Sequence, residues 1–150
     1  MILIRKANKK DVPEIKDLIA KSFEAAFDVN DIKYDVSQAT RLAEDLIKHH
    51  LLLVLVEQEL KKIVGGIGGQ LLLLPMSVET KAFQEIFFYV LPTFRGYSHR
   101  LLHELEEACK YQEIEIIIMA HLSDKDHEKM DRFYFTKGYK LLEKHYYRRI

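Results

Sequence analysis

The sequence predicts a single α/β domain, a mixed β-sheet with helices on its faces. Three observations carry that prediction. Apolar periodicity alternates between strand-like and helical stretches in the order β-α-α-β-β-β-α-β-α-β. The segment from Phe83 to Ala120 reads strand, helix, strand, which in one sheet requires a right-handed parallel crossover. The 150 residues contain no Pro/Gly/Ser-rich or long polar interruption, so 1–150 form one domain large enough to bury a core.

Taken in order, Ile2–Arg5 is a short strand. Asp11 then has the position of an N-cap, with Pro13 in the first turn and Glu14 at capping-box spacing, and Ile15, Leu18, Ile19 and Phe23 share one helical face. A second helix runs from about Asp35 to His49, with Val36, Ala39, Leu42, Ala43, Leu46 and Ile47 on one side. LLLVLVEQ and the run Lys61–Leu74 form a hairpin across Gln58 and Glu59. After Pro75 and the segment SVETK comes the strand AFQEIFFYV; Leu101, Leu102, Leu105, Ala108 and Cys109 then line one helix face. EIEIIIMA is a buried strand, Ser123 caps a helix running to Lys137, Gly138 ends it, and YKLLEKHYYRRI is a closing strand.

Gly65, Gly66, Gly68 and Gly69 lie inside a strand with no helix after them, which argues for a bulge or close backbone neighbours and against a phosphate loop. Lys plus Arg and Asp plus Glu are both 23, so no global positive field favours nucleic acid; only the HYYRRI end leans basic. A lone cysteine, Cys109, forms no internal disulfide and points to a reducing compartment, where it serves as a core residue. No run approaches the ~18 apolar residues of a membrane span and the N-terminus lacks a signal-peptide core, so a soluble, cytoplasmic protein is expected.

The stretch YVLPTFRGYSHRLLHELEEACK joins a strand to a helix through Pro92 and an Arg95-Gly96 pair. Such a junction is either a short crossover with solvated arginines or an anion site, where helix N–H groups and the dipole face a phosphate. Gly96 admits close backbone approach, Ser98 adds a hydroxyl donor, Arg95 and Arg100 add charge, and the bulky Tyr97 and His99 either shield the site or obstruct it. His99, His103 and Glu107 recur every fourth residue, but collinear ligands on one helix rarely enclose an ion, and no metal is expected.

The element order, the IRKANKKDVPEI start, the V-x-P-x-x-R-G of Val90, Pro92, Arg95 and Gly96, and the segment FYFTKGY with Phe133, Tyr134, Gly138 and Tyr139 in register resemble the GNAT superfamily of N-acetyltransferases. The resemblance spans nearly the whole chain. It departs from the family at the helix-opening Q/R-x-x-G-x-G/A signature. Read from Arg95, Ser98 and Arg100 replace the small residues; read from Thr93, Gly96 and Ser98 are in place but Thr93 stands for Gln/Arg. Both registers remain open, and the shortened loop resembles that of virus-encoded members.

The resemblance implies an acetyl-CoA-dependent N-acetyltransferase acting by direct attack of an amine on the thioester, with no covalent intermediate. The acceptor is a small-molecule or protein amine, and a homodimer stays open. It further implies that backbone groups of Phe88, Tyr89 and Val90 pair with pantetheine amides, that the Arg95–Arg100 loop holds phosphate, and that Tyr134 is the general acid. Glu85 matches the base of some histone-acetylating branches. Simple alternation puts Glu85 and Phe87 on one face, Ile86 and Phe88 on the other. For Tyr134 the alternative is core packing, and for the whole chain it is a degenerate member that binds CoA or another protein without catalysis.

Overall fold

The five strands of the sheet lie in chain order, two of their connections being hairpins and two carrying helices. The computed structural model describes residues 1–28, 30–121 and 127–150. Its strands are β1 (Ile2–Lys6), β2 (Leu51–Glu57), β3 (Lys62–Leu74), β4 (Ser77–Val90) and β5 (Ile116–Ile118); its helices are α1 (Val12–Ala26), α2 (Val36–His49), α3 (Ser98–Tyr111) and α4 (His127–Thr136). The first four strands pair antiparallel. β5 joins β4 in parallel, as the Phe83–Ala120 crossover requires. No helix among the described residues is long and apolar enough to cross a membrane.

The sheet has a core on each face. Ile15, Leu18, Ala43 and Leu46 of α1 and α2 pack with Leu52, Val54 and Phe87 on one side. Leu101, Leu102, Leu105 and Cys109 of α3 pack with Leu53, Leu55, Ile67, Phe83 and Val90 on the other, joined by Phe133 and Tyr134 of α4. Cys109 is a core residue, and burial pushes its thiol up to about 11.

The glycine run does what a strand glycine is suited to do. The β3–β4 register slips between Gly68 and Gly69, which face Phe87 and Glu85, leaving Ile86 without an opposite residue. A Cβ on Gly69 would collide with the Gln84 carbonyl oxygen and stand 2.6 Å from Phe83 Cζ, while one on Gly66 would meet Phe87 Cε2 at 3.2 Å.

Five expectations are corrected. EIEIIIMA is not a buried strand: only Ile116–Ile118 pair, at the edge of the sheet, and Ile116 is exposed. Asp11 does not cap α1: its carboxylate takes a paired hydrogen bond from Arg5 (Nη1–Oδ2 2.7 Å, Nη2–Oδ1 2.9 Å) and another from the Asn8 N–H, while Asn8 caps the preceding 3-10 turn. Glu14 accordingly reaches across to accept from the Ile63 N–H of β3, at 2.9 Å. SVETK belongs to β4, because Pro75 and Met76 make a tight turn and pairing resumes at Ser77 opposite Leu74. The closing strand does not form: residues 140–150 have no regular structure, and Leu141, Leu142 and Tyr146 are exposed. Adjacent Leu-Leu and Tyr-Tyr pairs give no period-two face to fix a register. The tail instead reaches the α1–α2 connection, where Tyr147 lies 5.9 Å from the Phe27 ring and donates to Asp31. The expected cap Ser123 lies outside the described residues, and α4 is described from His127.

Gly69→Ala should destabilise the protein by roughly 1–3 kcal/mol, the usual range for overpacking, because the obstacle is backbone. Gly96→Ala, whose Cβ would meet nothing within 4 Å, should change stability by no more than about 0.5 kcal/mol. Urea midpoints of the two variants check the contrast.

Candidate active site

The bulge at Ile86 decides which of the aromatic residues after it share a face with Glu85. Phe83, two residues before it in regular register, packs in the α3-side core, so Glu85 points to that side as well. After the bulge Phe87 packs against α1 and α2, while Phe88 returns to the α3 side. Glu85 and Phe87 therefore lie on opposite faces, and Glu85 shares its face with Phe88, contrary to uninterrupted alternation.

On that face Glu85 is buried, at 8% exposure, and its Oε2 accepts from the Ala120 N–H at 3.0 Å. Burial raises its carboxyl from 4.5 to about 7, and the Ala120 hydrogen bond offsets only part of that rise. The Tyr134 hydroxyl is buried with no hydrogen-bond partner among the described residues. Burial first, and then the negative charge of Glu85, holds its phenol well above the ordinary tyrosine range. The charge of Glu85 thus reaches the Tyr134 phenol on the same face of the sheet.

α4 ends in a way that fixes Tyr134. Gly138 adopts φ +87°, the left-handed conformation that glycine tolerates. The chain turns back so that the Gly138 N–H donates to the Phe135 carbonyl (3.1 Å) and the Tyr139 N–H to the Tyr134 carbonyl (3.1 Å). This is a Schellman turn, and its customary apolar contact is present: the Tyr134 and Tyr139 rings meet edge-on at 5.4 Å. The spacing of FYFTKGY therefore has a local physical cause. Tyr139 also donates to Glu106 Oε1 of α3, at 3.1 Å.

β4 and β5 pair only across Ala82–Gln84 and Ile116–Ile118. Beyond Glu85 no strand covers that edge of β4 among the described residues. Leu91 donates to the Val64 carbonyl at 2.8 Å, and ladder alternation then turns the backbone of Tyr89 toward β3 and that of Phe88 and Val90 toward the open edge. A 3-10 turn, Pro92–Tyr97, leads directly into α3. Arg95, Gly96, His99 and Arg100 are exposed there, Tyr97 is 36% exposed and Ser98 is half-buried. Arg100 lies 5.9 Å from the Tyr97 ring. Neither Arg95 nor Arg100 forms an ion pair among the described residues. No side chain caps α3, but the Ser98 N–H is already taken by the Arg95 carbonyl. The junction thus offers charge and an unobstructed glycine, with one of its backbone donors occupied. Glu107 pairs with Lys110 at 2.6 Å.

A family model described as the acetyltransferase (GNAT) family matches residues 12–139. The chain belongs to this family. Membership places it among acetyltransferases and bears out the resemblance read from its motifs. Solved structures share the GNAT fold at low identity. An acetyltransferase of Trypanosoma brucei is 16% identical, with full coverage of both chains and a TM-score of 0.73. A ribosomal-protein-alanine N-acetyltransferase of Brucella melitensis is 17% identical, also with full coverage of both, at 0.71. An aminoglycoside N-acetyltransferase in complex with CoA is 13% identical, covering 100% of this chain and 95% of the other, at 0.72. No curated protein matches the chain in sequence.

Two contributors escaped sequence reasoning. Nothing in LHELEEACK separates Glu106 from Glu104 and Glu107, and the Ala120 N–H is a backbone group placed by the crossover. Because the folded state holds Glu85 protonated from about pH 4.5 to 7 and the unfolded chain does not, stability should fall as pH rises through that window and level off above it. Glu85→Gln should remove the slope. Its advantage over the parent should be absent near pH 4 and grow to roughly 3 kcal/mol at pH 8, read from urea unfolding at both pH values.

Proposed function

We propose that the protein moves the acetyl group of acetyl-CoA to an amine by direct attack. The observation that carries this reading is the buried, unpartnered Tyr134 hydroxyl on the same face as Glu85, beside the open edge of β4. Backbone groups of Phe88 and Val90 at that edge suit the amides of an extended pantetheine chain. Arg95, Gly96, Tyr97, Ser98, His99 and Arg100 supply the phosphate end, with charge from the two arginines and space over Gly96. Tyr89 contributes its strand position, its backbone groups being turned to β3.

In the reaction the amine nitrogen attacks the thioester carbonyl carbon, a C–N bond forms and the C–S bond breaks. Glu85 accepts the amine's proton, and Tyr134 donates its own to the departing thiolate. The pairing has a physical logic. An anionic Glu85 opposes ionisation of Tyr134; once Glu85 has taken the proton it is neutral and the opposition ends. A carboxyl near 7 is suited to a base at neutral pH. Acceptors suggested by structural neighbours are aminoglycosides, an alanine amine of a ribosomal protein and, from a glucosamine-6-phosphate N-acetyltransferase of Arabidopsis thaliana, glucosamine 6-phosphate. A second reading, a fold relative that binds CoA or a protein without turnover, is favoured by the Ser98 N–H already being used. Calorimetry with acetyl-CoA separates a module that does not bind it from the enzyme.

Three amines test the chemistry: an aminoglycoside, glucosamine 6-phosphate and a peptide with a free N-terminal alanine, with release of CoA thiol read by a thiol reagent. Tyr134→Phe should keep acetyl-CoA affinity and melting temperature and lose about 10²–10⁴ in kcat. A fully active Tyr134→Phe protein removes Tyr134 from the chemistry. kcat/KM should rise with pH through about 7 as Glu85 loses its proton, and Glu85→Gln should abolish that limb.

Gly96→Val should leave folding intact, since its surroundings are open, and weaken acetyl-CoA binding. Arg95→Ala and Arg100→Ala should weaken it more at low salt than at high salt. Unchanged affinity in all three takes the loop out of the site.

A further inference from the structure

Tyr134 is buried without a hydrogen-bond partner among the described residues, so its own hydroxyl does nothing there to fix its ring. The ring packs into the α3-side core, and Tyr139 is the contact there that carries a hydrogen bond of its own to α3. Tyr139 touches it edge-on at 5.4 Å, is tied to its carbonyl through the Schellman turn, and carries a hydroxyl that donates to Glu106. Glu106 forms no ion pair among the described residues and lies one turn from Cys109, in the middle of the helix that opens at Ser98. Burial, together with Glu106 acting by charge and hydrogen bond, raises the Tyr139 phenol, so this hydroxyl remains a donor throughout the working range. Phe133 packs on the Tyr134 ring from another side, at 5.2 Å, and supplies only ring contact.

We infer that Glu106 and Tyr139 are positioning residues: the Glu106–Tyr139 hydrogen bond fixes the Tyr134 ring relative to α3, the helix that opens at the proposed phosphate site. The inference rests on the proposed role of Tyr134 for its kinetic consequence and on geometry alone for its structural one. A hydroxyl with no partner of its own needs outside support to stay within reach of a leaving group, and small misplacements in such sites cost heavily in rate. The bond also ties α4 to α3.

The test compares Tyr139→Phe, Glu106→Ala, Glu106→Gln, Tyr134→Phe and the double variant Tyr134→Phe/Tyr139→Phe in the full chain. Turnover is measured with whichever of the three amines reacts fastest, and the Tyr134 ring signal is followed by NMR of protein labelled with ¹³Cζ-tyrosine. Tyr139→Phe and Glu106→Ala should lower kcat by about 5- to 100-fold with the KM for acetyl-CoA unchanged, and both should shift the Tyr134 signal. Glu106→Gln keeps an acceptor oxygen and should restore kcat and signal toward the parent. The double variant should be no slower than Tyr134→Phe, since a misplaced ring without a proton loses nothing further.

Full kcat in Tyr139→Phe with an unmoved Tyr134 signal overturns the inference, and so does a double variant whose losses multiply. If Tyr134→Phe is itself fully active, the acid assignment fails. The ring signal then decides the positioning inference alone, as it does if none of the three amines reacts. A shift in Tyr139→Phe and Glu106→Ala but not in Glu106→Gln supports it, and an unmoved signal overturns it.

Discussion

The slip in register between β3 and β4 is the constraint on which the rest of the structure depends. Glycine at Gly68 and Gly69 lets β4 approach closely enough for one residue, Ile86, to be left out of the pairing. That single residue reverses the faces downstream. Phe87 goes into the α1–α2 core and Phe88 to the α3 side, beyond a Glu85 that already faces α3. Bulges also sharpen local twist, and β4 keeps β5 as a partner only across Ala82–Gln84. The same slip therefore puts Phe88 on the face of the buried carboxylate and accompanies the open edge beside it.

Burying Glu85 costs stability, because among the described residues no cation compensates its charge and one backbone N–H does so only in part. Nearby structure carries no such cost. At the entry to α1, Asp11 is equally hidden but has the Arg5 guanidinium and the Asn8 N–H on its oxygens, and its carboxyl is held below the usual range. One buried acid ties β1 to the helix that covers the sheet. The other is left protonatable near neutral pH beside an unpartnered phenol, an arrangement better suited to proton transfer than to holding a fold together.

The loop into α3 combines features that pull in different directions. A 3-10 turn running straight into the helix uses the Ser98 N–H internally, whereas a cradle for phosphate needs such groups free. Against that, Gly96 has open space on its Cβ side and the two arginines have no acidic partners among the described residues. On the proposed reading, charge does more at this site, and backbone donors less, than in a loop richer in glycine.

Local sequence determined the elements and their kinds. Apolar periodicity marks β1 to β4 and α1 to α3, and the FYFTKGY spacing is legible because a Schellman turn needs glycine at one place and an apolar pair around it. Such features depend on residues within a few positions of one another. Tertiary structure decided what depends on a partner far along the chain. Asp11 had the form of a helix cap until Arg5 claimed its carboxylate, and whether Phe87 or Phe88 shares the face of Glu85 depended on a bulge set by close approach of Gly68 and Gly69. Glu106 was indistinguishable from its acidic neighbours until Tyr139 turned toward it. The final segment had strand-forming residues but no alternating face, and without that, propensity alone did not make a strand. A hydrogen bond or a ladder register joins two places in the chain, and the residues at one of them cannot specify the other.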